Sequence, residues 1–439
     1  MRTATLVSSA RAGRPAPGPR IARWILCAAV SLPGILPAQE SAPTENPFVA
    51  DLAVLVRELP LRHKNAFHAV TKEAWLSEAD RLTERLRTTE PDVAVVELKR
   101  LVALIADSHT ILYADRESKA PLVYRMSAAV VPVAEGFVFW ALPVEHREHL
   151  GRPILSVAGV PWAEAAARLG RSFAAENDSW RKEQLAEILL DRATRRLCGL
   201  TDADGATEFT VAGEGGRPAS FTLRQPKNNV EARAVKFARL PEFAALAPSL
   251  ALQRPIYGHR VMPEASALYV WYDACRSDRA RPLDVFVADA LAELDRGLAA
   301  APLTITRVVV DLRRNGGGNS VLLTPFIAEL AKRKAVNTAD NLRVLIGRRT
   351  FSSAVLNAIA FRKATAAKLY GEPTGGALNH YGEVKTFRLP ATGLQLQYST
   401  KYHRQVEGLG LALDPDVVVM PTAAQFASGQ DVVLEAALR

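Results

Sequence analysis

Cysteine is scarce in this 439-residue chain, which has only Cys27, Cys198 and Cys275. None falls in the paired spacing of a zinc site, and the eight histidines are scattered, so neither a metal nor a cofactor is expected. No run of Lys and Arg with interleaved aromatics occurs, which argues against a nucleic-acid partner. Acidic residues are missing altogether from the first 38 positions, where Arg2, Arg11, Arg14, Arg20 and Arg23 supply five of the net +9. Without those five the charge is +4, an ordinary surface for a chain of this size. No later stretch approaches the roughly 20 apolar residues that cross a bilayer. Internal repeats and low-complexity tracts are absent as well.

The first 38 residues have the layout of a secretory signal. An Arg-bearing segment leads into the apolar run Trp24–Leu36, and LPA before Gln39 offers a cleavage point. The alternative is an uncleaved N-terminal anchor. With the signal removed, no membrane span remains. Export, periplasmic or beyond, would place Cys198 and Cys275 in an oxidising compartment, either paired or as two separate buried thiols.

A hydrophobic content of 49% is enough for two or three packed domains. Residues 45–111 carry apolar residues at helical spacing in DLAVLVREL, EAWLSEADRLTERL and PDVAVVELKRLVALI. Thr71 and the Glu90-Pro91-Asp92 run supply the helix starts. Residues 112–230 read as a β-rich domain with one or two helices. MSAAVVPVAEGFVFWALPV and TEFTVAGEGGRPASFTL are both hairpin patterns, and Gln225–Val235 is a polar linker. Residues 231–439 alternate strands (ALYVWYD, ITRVVVDL, LRVLIG) with helices (LDVFVADALAELDRGL, LLTPFIAELAK, SAVLNAIAFRKAT). That alternation predicts a layered α/β domain.

Two stretches there carry chemistry. In DLRRNGGGNS a buried strand opens into three glycines, whose N–H groups can face a cleft unobstructed by Cβ atoms. The spacing is not G-x-G-x-x-G and no Lys-Ser/Thr follows, so a nucleotide is not indicated. TFSSA lies between a strand and a helix, where the helix dipole favours a nucleophile and the oxyanion it generates. Serine is also a favoured helix cap, and capping alone would explain it.

Taken in order, DSHT (107–110), DLRRNGGG, TFSSA, YGEPTGG and ALDPDVVV resemble the tail-specific, or C-terminal processing, serine peptidases. The match is clearest over about residues 265–420; LGRPILSVAGVPWAEAA looks more loosely like the interior of a PDZ-like module. The resemblance implies a crotonase-like α/β catalytic domain behind a helical module and a PDZ-like β-rich domain. It makes Ser352 the nucleophile and places the oxyanion hole at the N–H groups of Gly316 or Gly317 and of Ser353. Asn315 and Asn379 would meet substrate, and Asp311 would anchor the glycine turn. The position of the family's dyad lysine falls on Ala377, so the lysine is absent.

A serine without a base is a poor nucleophile at neutral pH. Lys368, Lys385 and Lys401 lie nearby, but a surface lysine stays protonated. His380 stands close to the vacancy and titrates in the useful range, or else contacts substrate. The third candidate is His109: the tricorn-type branch uses a histidine that follows a serine, with a glutamate near the C-terminus. Ser108-His109 resembles that pair and Glu407 that glutamate. Tyr402-His403 reads as surface as readily as site. The implied activity is an exported serine endopeptidase acting on proteins or peptides, through their C-terminal tails on the family pattern. The competing readings are a non-catalytic peptide- or hydrophobic-ligand-binding protein on the same fold, and a crotonase-like acyl transferase or hydrolase.

Overall fold

The computed structural model describes residues 46–120, 126–201, 205–226, 231, 234–240 and 254–439. The signal read over residues 1–38 lies outside these, as does part of the linker. Among the described residues no helix is long and apolar enough to cross a membrane.

Three helices open the described chain: Pro47–Arg62, Lys72–Leu86 and Pro91–Ala103. Asn46 and Thr71 cap the first two by accepting from Phe48 and Ala74 N–H groups. Glu90 precedes the third without a side-chain cap. Leu52, Leu55 and Leu59 line one face of the first helix, and Trp75, Ala79, Leu82 and Leu86 one face of the second; all are buried. These faces do not close on one another alone. Their core includes Leu389, Leu394, Leu396 and Tyr398 from far along the chain. The strand Ile111–Tyr113 pairs with Gln395–His403, which pairs in turn with His380–Arg388. Asp51, fully buried in the first helix, accepts from the N–H groups of Ala391 and Thr392 at 2.9 and 2.8 Å. The helical segment is therefore built into the C-terminal half.

The central sheet has six strands in the order Val417–Val418, Lys368–Gly371, Leu342–Ile346, Arg307–Asp311, Ala267–Tyr272, Tyr257–Met262. All its pairings are parallel except that of the last strand. Side-chain alternation explains its two faces. Val308, Val310, Leu342, Val344 and Ile346 join the helices Leu283–Ala299, Thr324–Lys332 and Ser353–Ala364 in one core. Val309, Leu345 and Tyr269 point the other way, onto the C-terminal helix Val432–Leu438. Both faces are covered, which is why apolar runs such as VVV and VLI fill the middle strands. The turns leaving the carboxyl ends of these parallel strands hold DLRRNGGG, TFSSA and EPTGG, the edge where open α/β sheets place ligands.

Residues between pack as two antiparallel sheets. One pairs Ala129–Val133, Gly136–Pro143 and Phe237–Arg239; the other joins Val160–Pro161, Ile154–Val157, Ala206–Ala212 and Pro218–Arg224. Their core is formed by Phe139, Phe209 and Phe221 with Leu185 and Leu189. Three helices flank it, Trp162–Leu169, Asp178–Ile188 and Arg192–Leu197, one more than the sequence suggests. The second of them is largely polar and buries little besides Leu185 and Ala186, so it has no strong apolar stripe to read.

Candidate active site

The strand Leu342–Ile346 leaves the sheet into a turn stitched to the glycine loop. Thr350 Oγ1 donates to the Leu312 carbonyl at 2.9 Å, and Phe351 N–H to the Asn315 carbonyl at 3.0 Å. Ser352 follows with φ 52° and ψ −127°, a conformation that costs a non-glycine residue about 1–3 kcal/mol. It immediately precedes the helix Ser353–Ala364, yet its hydroxyl makes no capping hydrogen bond. Capping therefore does not explain this serine. Ser353 is tied instead, its Oγ donating to the Gly318 carbonyl at 2.6 Å.

The glycine loop comes as close to Ser352 as it does only because it lacks Cβ atoms. Gly317 has φ +109°, and a Cβ there would lie 2.8 Å from the Ser352 Cβ. A Cβ on Gly376 would lie 2.8 Å from the Ser352 nitrogen. Among the described residues, the N–H groups of Gly316 and Ser353 meet no acceptor. Gly317 differs from expectation, because its N–H donates inward to Asn315 Oδ1 at 2.9 Å.

Two residues expected to meet substrate are engaged with the backbone. Asn315 is fully buried: its Nδ2 donates to the Tyr272 carbonyl at 2.8 Å while its Oδ1 serves Gly317. It shapes the loop. Asn379, 6% exposed, bonds the backbone of Gln405, Val406 and Gly408 and so holds the 405–408 loop. Glu407 lies exposed on that loop. Asp311 anchors the glycine turn as read, accepting from Arg313 N–H at 3.0 Å, and also from the Arg313 guanidinium and the Tyr269 hydroxyl. The Arg313 guanidinium bridges onward to Asp431. Cys198 and Cys275 are separate buried thiols.

His109 sits beside the serine turn, its ring centroid 4.7 Å from that of Phe351. It belongs to a ladder of rings, with Trp180 on the far side of Phe351 at 4.2 Å and His380 on His109 at 5.3 Å. His403 follows His380 at 5.2 Å. His109 is 8% exposed and neither ring nitrogen has a hydrogen-bond partner. Burial holds its pKa at about 4, below the ordinary 6.5; Asp107 pulls it upward, while His380 and His403 push it down. The imidazole is thus neutral at pH 7.

Asp107 is the nearest carboxylate, its Oδ1 3.9 Å from His109 Nδ1. Burial would raise its pKa, but hydrogen bonds from His63 and Thr110 and the nearby His109 prevail and hold it near 2. His63 Nε2–H donates to it at 3.0 Å, and the Asn65 N–H supplied to His63 Nδ1 fixes that tautomer. Glu176, from the segment before the helix Asp178–Ile188, reaches the same loop. It accepts from Ser108 N–H at 2.9 Å and from the Ser108 hydroxyl. Burial raises the Glu176 pKa, with the two Ser108 bonds opposing and Asp107 adding to the rise. Its neighbour Asn177 donates to the carbonyls of Thr374, Gly375 and Leu411, pinning the segment to the EPTGG turn.

His380 is buried and turns its Nδ1–H to the Ala377 carbonyl at 2.8 Å. Burial lowers its pKa, and that backbone bond partly offsets the effect. Ala377, where a lysine would stand, is 2% exposed. Sequence reasoning missed Glu176, Asp107 as the nearest carboxylate, and Trp180. The FAAENDSW segment has no motif, and only the presence of Asp107 inside DSHT offered a signal.

No family model matches the chain, and no relative is found among curated proteins. Solved structures do match. Mature CPAF complexed with lactacystin is 13% identical and superposes with TM-score 0.60 over 89% of this chain and 97% of that one. A serine-to-alanine mutant of CPAF is 12% identical, with TM-score 0.60 over 89% and 96%. The photosystem II D1 C-terminal processing protease is 16% identical over 88% and 98%, at the lower TM-score of 0.37. At 12–13% identity the likeness to CPAF is one of fold, with TM-score 0.60 over most of both chains.

Proposed function

We propose that the chain is an exported serine peptidase of the tail-specific type, with Ser352 as nucleophile and His109 as general base. The observation that carries this reading is the seat of Ser352: strained, uncapped, and flanked by Phe351, whose ring packs on His109. In the first step Ser352 Oγ bonds to the carbonyl carbon of a peptide while its proton passes to His109. The carbonyl oxygen becomes an oxyanion within reach of the unengaged N–H groups of Gly316 and Ser353. His109 then gives the proton to the leaving amine, and the same cycle with water releases the acyl group. Asp107 supports the imidazolium formed between these steps, and Glu176, through Ser108, keeps the DSHT loop in register. On this reading Glu407 has no part in the chemistry.

The layered sheet is read as crotonase-like and the middle β unit as PDZ-like. A peptide end captured as an added strand would suit that middle unit. A second reading, a non-catalytic binder, is favoured by one observation: the dyad lysine's position holds a buried alanine. A fluorophosphonate probe separates the two. The proposal expects labelling that vanishes in Ser352→Ala and persists in Ser353→Ala. Folded protein that takes no label at all would overturn it in favour of the binder.

A further inference from the structure

The His109 pocket holds more than a base requires. The Nδ1 or Nε2 of His109 and one carboxylate oxygen each from Asp107 and Glu176 lie within 4.8 Å of one another. Neither ring nitrogen of His109 has a hydrogen-bond partner, although the residue is only 8% exposed, and one of them faces this space. A buried polar group without a partner is uncommon and calls for an explanation. We propose that Asp107, His109 and Glu176 form a binding site for a borderline divalent cation, Zn²⁺ above all, whose occupancy takes His109 out of use as a base.

The donor set argues for this class of ion. One neutral imidazole with two carboxylates suits zinc and its first-row neighbours, whereas Ca²⁺ and Mg²⁺ favour sites made of oxygen alone. Two carboxylates close together in a buried place repel, and a dication between them neutralises both. Tetrahedral zinc with bonds of about 2.0–2.2 Å sets its donors about 3.4 Å apart. The 3.9 Å between His109 Nδ1 and Asp107 Oδ1 therefore needs only a small side-chain adjustment. Each carboxylate already has partners that fix its direction: His63 and Thr110 on Asp107, Ser108 on Glu176. Such outer contacts are what orient metal ligands. Three protein donors leave a fourth position for water. No paired spacing announces the site in the sequence, because Glu176 comes from a different segment than DSHT.

Binding is independent of the peptidase reading; inhibition rests on it. The full chain, stripped with EDTA, is titrated with Zn²⁺ against a fluorescent zinc indicator at pH 7.5. One ion per chain is expected, bound at least tenfold more weakly in His109→Ala and in Glu176→Gln and unchanged in His403→Ala. Zn²⁺ should also raise the Tm of the wild-type chain, a readout that survives if a variant fails to fold. Equal binding by wild type and folded His109→Ala, or a loss that follows His403→Ala instead, would overturn the site. In the labelling arm, saturating Zn²⁺ should slow fluorophosphonate reaction at Ser352 at least tenfold, with EDTA restoring it. Labelling indifferent to bound zinc overturns the inhibitory half. Zinc binding without labelling in any condition keeps the site and sinks the peptidase reading instead.

Discussion

The two halves of the candidate site are built in opposite ways. Ser352 rests on one contiguous strand–turn–helix whose register the central sheet dictates, and its glycine neighbours leave the next parallel strand at the same edge. His109 rests on segments drawn from three places: the end of the third helix, the segment carrying Glu176, and the strand carrying His380. One half is made by local geometry, the other by long-range packing. A substitution on the serine side should act through shape. One on the histidine side should act through charge and ring position.

On the proposed mechanism the largest expected effect falls on the base. His109→Ala should lower kcat by about 10³-fold with near-normal folding, as general-base loss does; single-turnover kinetics on a peptide substrate measures it. If His380→Ala causes the larger loss, the two halves have been joined through the wrong ring. Next comes Gly317→Ala, where a methyl group would sit 2.8 Å from the Ser352 Cβ on a backbone at φ +109°. Displacement of the serine should cost about a hundredfold in kcat/KM, with a fall in Tm seen by calorimetry. Glu176→Gln should cost roughly tenfold, because it weakens a charged hydrogen-bond pair holding the DSHT loop. Glu407→Gln, on an exposed loop, should leave kcat/KM within about twofold of wild type. A tenfold loss there would return Glu407 to the site and remove the need for Glu176.

What was legible in the sequence follows the same division. TFSSA and the triple glycine could be read because each is a short run whose residue types answer a local backbone demand, a serine entering a helix and a glycine at positive φ. The strands beneath them were legible because both faces are buried, leaving the apolar runs VVV and VLI. DSHT drew attention only through resemblance. Nothing local reveals that Trp180 stacks on Phe351, or that the Asn177 amide closes three carbonyls of the facing turns. The backbone partners of Asn315 and Asn379 were hidden for a related reason. An asparagine near a candidate serine turn reads as a substrate contact, and here both also hold loops whose backbone groups have no strand to pair with.

The acid response of the two halves also differs. The pKa of His109 is lower in the folded chain than the ordinary 6.5, about 4. The unfolded chain therefore binds the extra proton first, and the stability contributed by the neutral imidazole is lost as pH falls from 6.5 towards 4. Asp107, held near 2, contributes above its ordinary value of 3.8 and loses that contribution only as pH falls on towards 2. On the serine side burial would raise the Asp311 pKa, but the Arg313 guanidinium prevails and holds it near 2, so that carboxylate answers acid in the same window as Asp107.

The most direct test of the pairing of Ser352 with His109 is the pH dependence of fluorophosphonate labelling at Ser352. The base works when neutral, so the rate should hold from pH 7 down to about 5. It should then fall with a midpoint near 4, and His109→Ala should remove the fast reaction across the whole range. A limb that rises above pH 7 and survives His109→Ala would mean that a lysine takes the proton, and would contradict the account.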